Sequence, residues 1–304
     1  MRSHQLMSEI DLSIAIPVYN NVATLDELID RLLAVLEPVG CRFELIFVDD
    51  GSTDDSLTLL LRRAASDSRL RVFALTRNFG SQAAIAAGFD QIRGRRGICM
   101  DADLENCPED IPALLAPLDQ GYHLVCGYRP NRQAPWLSRR VPSWLMNQYV
   151  RRRTGVPLQD VGCGMRAFRS WVVRDLATEG EARRMMTPVF LQRTRKVAEV
   201  PLSQGAPQKA GGHSFLSLLA IAADYFLFSA RRPFLVSGLA SSSAILAGLL
   251  LVPTALPTTW GVLLISGSLG LLLSLIGEYS QRYYQLAQKL PFYKLRSLEE
   301  EGVV

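Results

Sequence analysis

The chain has 304 residues, enough for one α/β domain and an appendage. Its formal net charge of +4 leaves no strong nucleic-acid footprint, and three scattered histidines, His4, His123 and His213, offer neither a zinc cluster nor a catalytic triad. Five cysteines (Cys41, Cys99, Cys107, Cys126 and Cys163) show no paired or metal-type spacing and point, with no N-terminal signal segment, to a reducing compartment.

Leu12–Val18 reads as a buried strand ended by the turn Tyr19-Asn20-Asn21, and Thr24 is placed to cap a helix whose apolar face is Leu25, Leu28, Ile29, Leu32, Leu33 and Leu36. Phe43–Val48 is a second strand running into Asp49-Asp50-Gly51-Ser52-Thr53-Asp54, a glycine turn that launches helix Ser56–Ala65. Leu70–Leu75 is a third strand, and Arg77-Asn78-Phe79-Gly80-Ser81 leads from it into helix Gln82–Gln91. Strand Gly97–Met100, a helix near Glu109–Leu118 and strand His123–Gly127 continue the alternation. Such a succession predicts an α/β fold with a doubly wound, mostly parallel sheet. Ligands bind beyond the carboxyl ends of strands in these sheets, which gathers Pro17–Asn20, Asp49-Asp50, Arg77–Gly80 and Asp101–Glu105 on one rim.

On that rim, Asp101-Ala102-Asp103-Leu104-Glu105 places two carboxylates one residue apart at a strand end. Both can reach one hard cation such as Mg²⁺ or Mn²⁺, with Glu105 as a third oxygen donor. An isolated Asp-x-Asp is equally an ordinary helix-start pattern; the neighbouring turns favour the metal. Between Arg129 and Ser170, nine arginines (129, 132, 139, 140, 151, 152, 153, 166 and 169) accompany a single acid, Asp160, a block suited to phosphate.

The C-terminal third changes character. Phe234–Val252 and Trp260–Gly277 are uncharged apolar runs near the ~20 residues that span a bilayer. Arg231 and Arg232 precede them, and Arg282, Lys289, Lys294 and Arg296 follow, so the positive-inside rule predicts a hairpin with both flanks cytosolic. Two buried core helices are the alternative. The weakly amphipathic Ser214–Ala230 reads as a helix at the membrane surface or one packed on the catalytic domain, readings that do not exclude each other. The expected organisation is a cytosolic domain over residues 1–212, an interfacial helix over 213–232, a transmembrane hairpin over 233–280 (spans 233–252 and 260–277) and a cytosolic tail over 281–304. That is a multi-pass protein of the inner membrane.

Pro17-Val-Tyr-Asn20, Val48-Asp-Asp-Gly-Ser-Thr-Asp54, Arg77-Asn-Phe-Gly80 and Asp101-Ala-Asp-Leu104 resemble the signature blocks of inverting, GT-A-fold family 2 glycosyltransferases. Asp160-Val-Gly-Cys-Gly-Met-Arg166 and the terminal hairpin resemble the polyprenyl-phosphate branch, which includes dolichol-phosphate mannose synthases and bacterial undecaprenyl-phosphate transferases. The likeness runs from about Leu12 to Tyr284. It implies inverting transfer of a sugar from a nucleotide sugar, a UDP-sugar by preference, to a polyprenyl phosphate. It further implies Mg²⁺ or Mn²⁺, a bilayer, no nucleic-acid partner and a homo-oligomer, a tetramer among relatives.

Carried onto this chain, the resemblance assigns the nucleotide sugar to Pro17, Tyr19, Asn20, Asp49, Asp50, Asn78, Gly80, Asp101, Ala102, Asp103 and Arg129. The metal falls to Asp101, Asp103 and Glu105, and the acceptor phosphate or diphosphate to Arg132, Arg139, Arg140, Lys209 and Ser214. Catalysis falls to Asp103, Asp160 and Arg166, with Asp160 either a base or a counter-ion orienting Arg166. Three positions depart from the pattern: Asn20-Asn21 stands for Asn-Glu, Glu105 for Gln, and Lys209-Ala-Gly-Gly-His-Ser214-Phe215 for Arg-x-x-Gly-x-Ser-Lys. A processive polysaccharide synthase is a competing expectation, although its Gln-x-x-Arg-Trp motif is absent. A catalytically inactive membrane scaffold is the other.

Overall fold

The computed structural model describes residues 10–130, 147–148, 150–152, 154–174, 186–203, 205, 259–287 and 293–297. The chain forms two units, Met1–Phe215 with Pro291–Val304, and Leu216–Leu290. The first is built on strands β1 (Leu12–Val18), β2 (Phe43–Asp49), β3 (Leu70–Ala74), β4 (Arg96–Cys99), β5 (Leu124–Tyr128), β6 (Arg166–Arg169) and β7 (Val197–Pro201). Their order across the sheet is β3-β2-β1-β4-β6-β5-β7. The β1–β2, β1–β4, β2–β3 and β5–β7 pairs are parallel, while β6 runs antiparallel between β4 and β5.

The near-continuous apolar character of β1 and β2 follows from burial on both faces. Helix α1 (Val22–Leu36) covers one face with Leu25, Leu28, Ile29, Leu32 and Leu36, all fully buried beside α4 (Ile111–Asp119). Each such side chain contributes about 2 kcal/mol of burial. Helix α3 (Ser81–Asp90) covers the other face, where Ala84 and Ala87 meet Ile46, Val48 and Leu75. A Cβ on Gly88 would lie 3.0 Å from that of Ala15, so α3 sits close on β1. Helices α2 (Ser56–Ser66) and α5 (Met186–Arg193) also belong to this unit.

The expected parallel, doubly wound order holds through β4. Strands β6 and β7 and helix α5 were not expected, and β6 makes the sheet mixed. Nor is Thr24 a helix cap: α1 begins after Asn21, and the Thr24 hydroxyl lies 3.1 Å from the Asn21 carbonyl and 2.8 Å from that of Ala102.

In the second unit the described part is α6, Thr259–Ala287, which joins the uncharged run from Trp260 to a polar end containing Glu278, Gln281 and Arg282. Among the described residues no helix is long and apolar enough to cross a membrane. The first apolar run, Phe234–Val252, and the interfacial segment 213–232 lie outside the described residues.

Candidate active site

The turns at the ends of β1, β2 and β3 interlock. Asn20 adopts φ +52°, and its amide donates to Ser52 Oγ (3.0 Å) while its Oδ1 accepts from the Thr53 amide (2.8 Å). The Asn21 amide donates to Ser56 Oγ (2.9 Å), and Asn21 Oδ1 accepts from Tyr19 N (3.1 Å). The Asn20-Asn21 pair therefore serves to tie the first turn to the second, with the Tyr19 ring 43% exposed above it.

Asp49 and Asp50 are both buried, and burial pushes both carboxyls up. Asp50 accepts the Phe79 and Gly80 amides on its two oxygens (2.7 and 2.9 Å) and so shapes the turn after β3. Asp49 Oδ2 accepts the Ser52 amide (3.1 Å), whereas its Oδ1 is buried with no hydrogen-bond partner among the described residues. Gly51 has φ +67°, and a Cβ there would sit 2.7 Å from backbone atoms of Arg77 and Asn78. Glycine is the residue that permits this approach.

The second half of the site hangs from β4 and β6, whose register pairs Cys99 with Arg166. Asp101 is partly buried; burial first, then the charge of Asp103, pushes its carboxyl up to about 6. Leu104 takes φ +61°, and Asp103 Oδ1 accepts the Glu105 amide (3.0 Å). The loop before β6 presses against this turn: a Cβ on Gly164 would lie 2.2 Å from Asp101 Oδ2.

Arg129, at the end of β5, donates through Nε to Asp160 Oδ2 (2.8 Å); both side chains are 11% exposed. Asp160 Oδ1 accepts the Gly162 amide (3.1 Å). Arg129 Nη1 stands 3.9 Å from Glu105 Oε2, and Nη2 is buried with no hydrogen-bond partner among the described residues. Arg166 is buried and donates to the Val161 carbonyl (2.8 Å).

Thus Asp101, Asp103, Arg129, Asp160 and Arg166 gather on one rim with the three interlocked turns. Asp160 pairs with Arg129, and Arg166 donates to the Val161 carbonyl. Among the described residues no group of three or more His, Cys, Asp or Glu side chains is disposed to hold a metal; Asp101 and Asp103 form a pair, and Glu105 is exposed beside Arg129. Pro17 lies within β1 opposite Val48, Ala102 is buried with its carbonyl toward Thr24, and Asn78 is exposed. Arg132, Arg139, Arg140, Lys209 and Ser214 lie outside the described residues. Sequence reading names Thr24 only as a helix cap and Gly164 only within the Asp160–Arg166 block; their contacts with the Ala102 carbonyl and with Asp101 come from packing between distant segments.

Residues 13–176 match the Glycosyl transferase family 2 model. The chain belongs to glycosyltransferase family 2. Over 306 residues (94% of this transferase and 92% of the relative) it is 36% identical to the undecaprenyl-phosphate 4-deoxy-4-formamido-L-arabinose transferase of Shewanella sediminis (strain HAW-EB3). The protein of the same name from Pseudomonas syringae pv. syringae (strain B728a) is 48% identical over 164 residues, 53% of this transferase and 48% of the relative. Among solved structures, Mycobacterium tuberculosis glucosyl-3-phosphoglycerate synthase resembles the transferase with a TM-score of 0.53 and 20% identity, covering 71% of this chain and 80% of that one. At such identity the likeness concerns the fold, a GT-A-like mixed sheet.

Proposed function

We propose that the enzyme transfers a sugar, with inversion, from a UDP-sugar to undecaprenyl phosphate, using Mg²⁺ or Mn²⁺ at a membrane surface. The acceptor follows from what the full-length relatives are named for, and 4-deoxy-4-formamido-L-arabinose is the sugar to test first. One observation carries the phosphate chemistry: Arg129 is neutralised on one edge by Asp160 while Nη2 remains buried and unpartnered among the described residues. A guanidinium nitrogen so placed is short of an anionic oxygen.

Asp101 and Asp103 fit a divalent cation as a carboxylate pair at a strand end, crowded enough to raise one carboxyl and left open by Gly164. When bound, the cation offsets the negative charge that develops on the leaving diphosphate. Asp101 and Asp103 would supply two protein oxygens to such a cation, which suits Mg²⁺, an ion that keeps several waters. Asp49, whose buried Oδ1 has no hydrogen-bond partner among the described residues, is read as the acceptor for an N–H of the base, and Arg129 and Arg166 as serving the phosphates.

A phosphate monoester acceptor is ionised near neutral pH and is already a nucleophile, so no base is required. Both oxygens of Asp160 are engaged, by Arg129 and by the Gly162 amide. We therefore read Asp160 as a positioning residue for Arg129. The membrane proposal rests on the two uncharged apolar runs with basic flanks. It gains support from connectivity: the chain leaves the catalytic unit after Phe215 and rejoins it at Pro291. An excursion that returns to the same folded unit crosses a bilayer an even number of times.

The test is transfer of radiolabel from a panel of UDP- and GDP-sugars, including the formamido-arabinose donor, to undecaprenyl phosphate with Mn²⁺ or Mg²⁺. A mild-acid-labile, lipid-soluble product from one donor, lost with EDTA and in Asp101→Asn, is expected. No lipid product from any donor would overturn the reading.

A further inference from the structure

We infer that the C-terminal segment Tyr293–Ser297 is a positioning element of the donor site, acting through the turn Arg77–Gly80; this rests on the donor reading above. Strand β3 is an outer strand of the sheet, and its free side is the kind of edge that accepts another strand. Leu295 sits there, bridged antiparallel to Leu75. The Thr76 amide donates to the Lys294 carbonyl (3.0 Å) and the Arg296 amide to the Ala74 carbonyl (2.7 Å). On the inner side the Leu75 amide donates to the Asp49 carbonyl (2.8 Å). The last residues before Arg77 are thus clamped between the tail and Asp49.

The tail also reaches the helix that follows the turn. Tyr293 Oη donates to Asp90 Oδ2 (2.5 Å) at the end of α3, and its ring packs on the same apolar cluster as Phe79. Arg77 lies over the Phe79 ring, 4.1 Å from its centroid, and Asp50 holds the Phe79 and Gly80 amides. The turn is therefore set by Asp50 from within the sheet and by the tail from outside it. A segment more than 200 residues away in sequence, beyond both apolar runs, completes the frame of the nucleotide pocket.

The full-length chain in detergent is titrated calorimetrically with UDP and Mn²⁺ as wild type, Arg296→Pro and Arg296→Ala. Proline deletes the amide that bonds to Ala74. We expect Arg296→Pro to weaken UDP about tenfold, within the range of ordinary coupling energies, and Arg296→Ala, which restores the amide, to recover the wild-type constant. Coupling is reciprocal, so UDP must also slow deuterium uptake by residues 293–297 of the wild-type protein. That second readout needs no variant and stands even when Arg296→Pro fails to fold. Equal affinity in Arg296→Pro, or tail exchange indifferent to UDP, overturns the inference. Absence of UDP binding by the wild type overturns the donor reading itself.

Discussion

Asp101 ionises near pH 6 because burial and the neighbouring Asp103 both resist its charge, against 3.8 for a free side chain. Its folded value lies above its unfolded one, so its stabilisation is fully present below about pH 4 and is lost as pH rises through about 6. The difference is on the order of 3 kcal/mol at neutral pH. Metal-free protein is expected to melt lower at pH 7.5 than at pH 5 in scanning fluorimetry, with Mn²⁺ raising the melting point far more at pH 7.5. Asp101→Asn should abolish the Mn²⁺ response and reduce the pH response, leaving the share of Asp49, Asp50 and Glu199, which burial also raises. The carboxyls held low by hydrogen bonds or arginines, Asp11, Asp54, Asp67 and Glu109, titrate mostly below this window. Asp160 permits a different test. As a positioning residue, Asp160→Asn should lower kcat about 100-fold through a displaced Arg129 while keeping the shape of the pH–rate profile. Loss of the acidic limb of that profile would make Asp160 a base instead. The pairing of Arg129 with Asp160 spans 31 residues, and nothing local in either segment announces it. With nine arginines in the block, sequence named the acid and gave Arg166, not Arg129, as the arginine it would orient.

At the level of elements, the strands legible in sequence are those buried on both faces. Leu12–Val18 and Phe43–Asp49 consist almost wholly of buried residues, so their apolar runs are unbroken. Strand β6 reads Arg-Ala-Phe-Arg, four residues with a charge at each end, and the buried Arg166 donates to the Val161 carbonyl. Strand β7, Val-Ala-Glu-Val-Pro, is only partly covered and pairs with β5 across some 70 residues. Neither presents a period that short-range reading detects. The rim turns were legible because each follows a readable strand, and Asp101 and Asp103 with them. The need for glycine at 164 was not, since it arises from the approach of one loop to another. Gly164→Ala is expected to raise the Mn²⁺ concentration for half-maximal transfer at least tenfold and to cost about 1–3 kcal/mol in denaturant stability. An unchanged Mn²⁺ requirement would show that Asp101 does not depend on that clearance.

On the scale of the whole molecule, Pro291–Val304 groups with Met1–Phe215 in one unit, so the proposed membrane hairpin predicts an even number of crossings. Tags at the N- and C-termini should be cleaved together, or protected together, in oriented vesicles; opposite behaviour would rule out an even number of crossings. Strand β6 has another consequence. Because it runs against β4, the loop entering it and the loop leaving β4 meet as the ends of adjacent strands, joined at Cys99 and Arg166. Each loop has its own stem, so the loop ahead of Arg166 can vary where it does not meet Asp101, provided Gly164 is kept at the contact. The sheet is modular at this seam. Within such a lineage, that loop can be remodelled generation by generation around a kept Gly164 while the turn bearing Asp101 and Asp103 is left as it was.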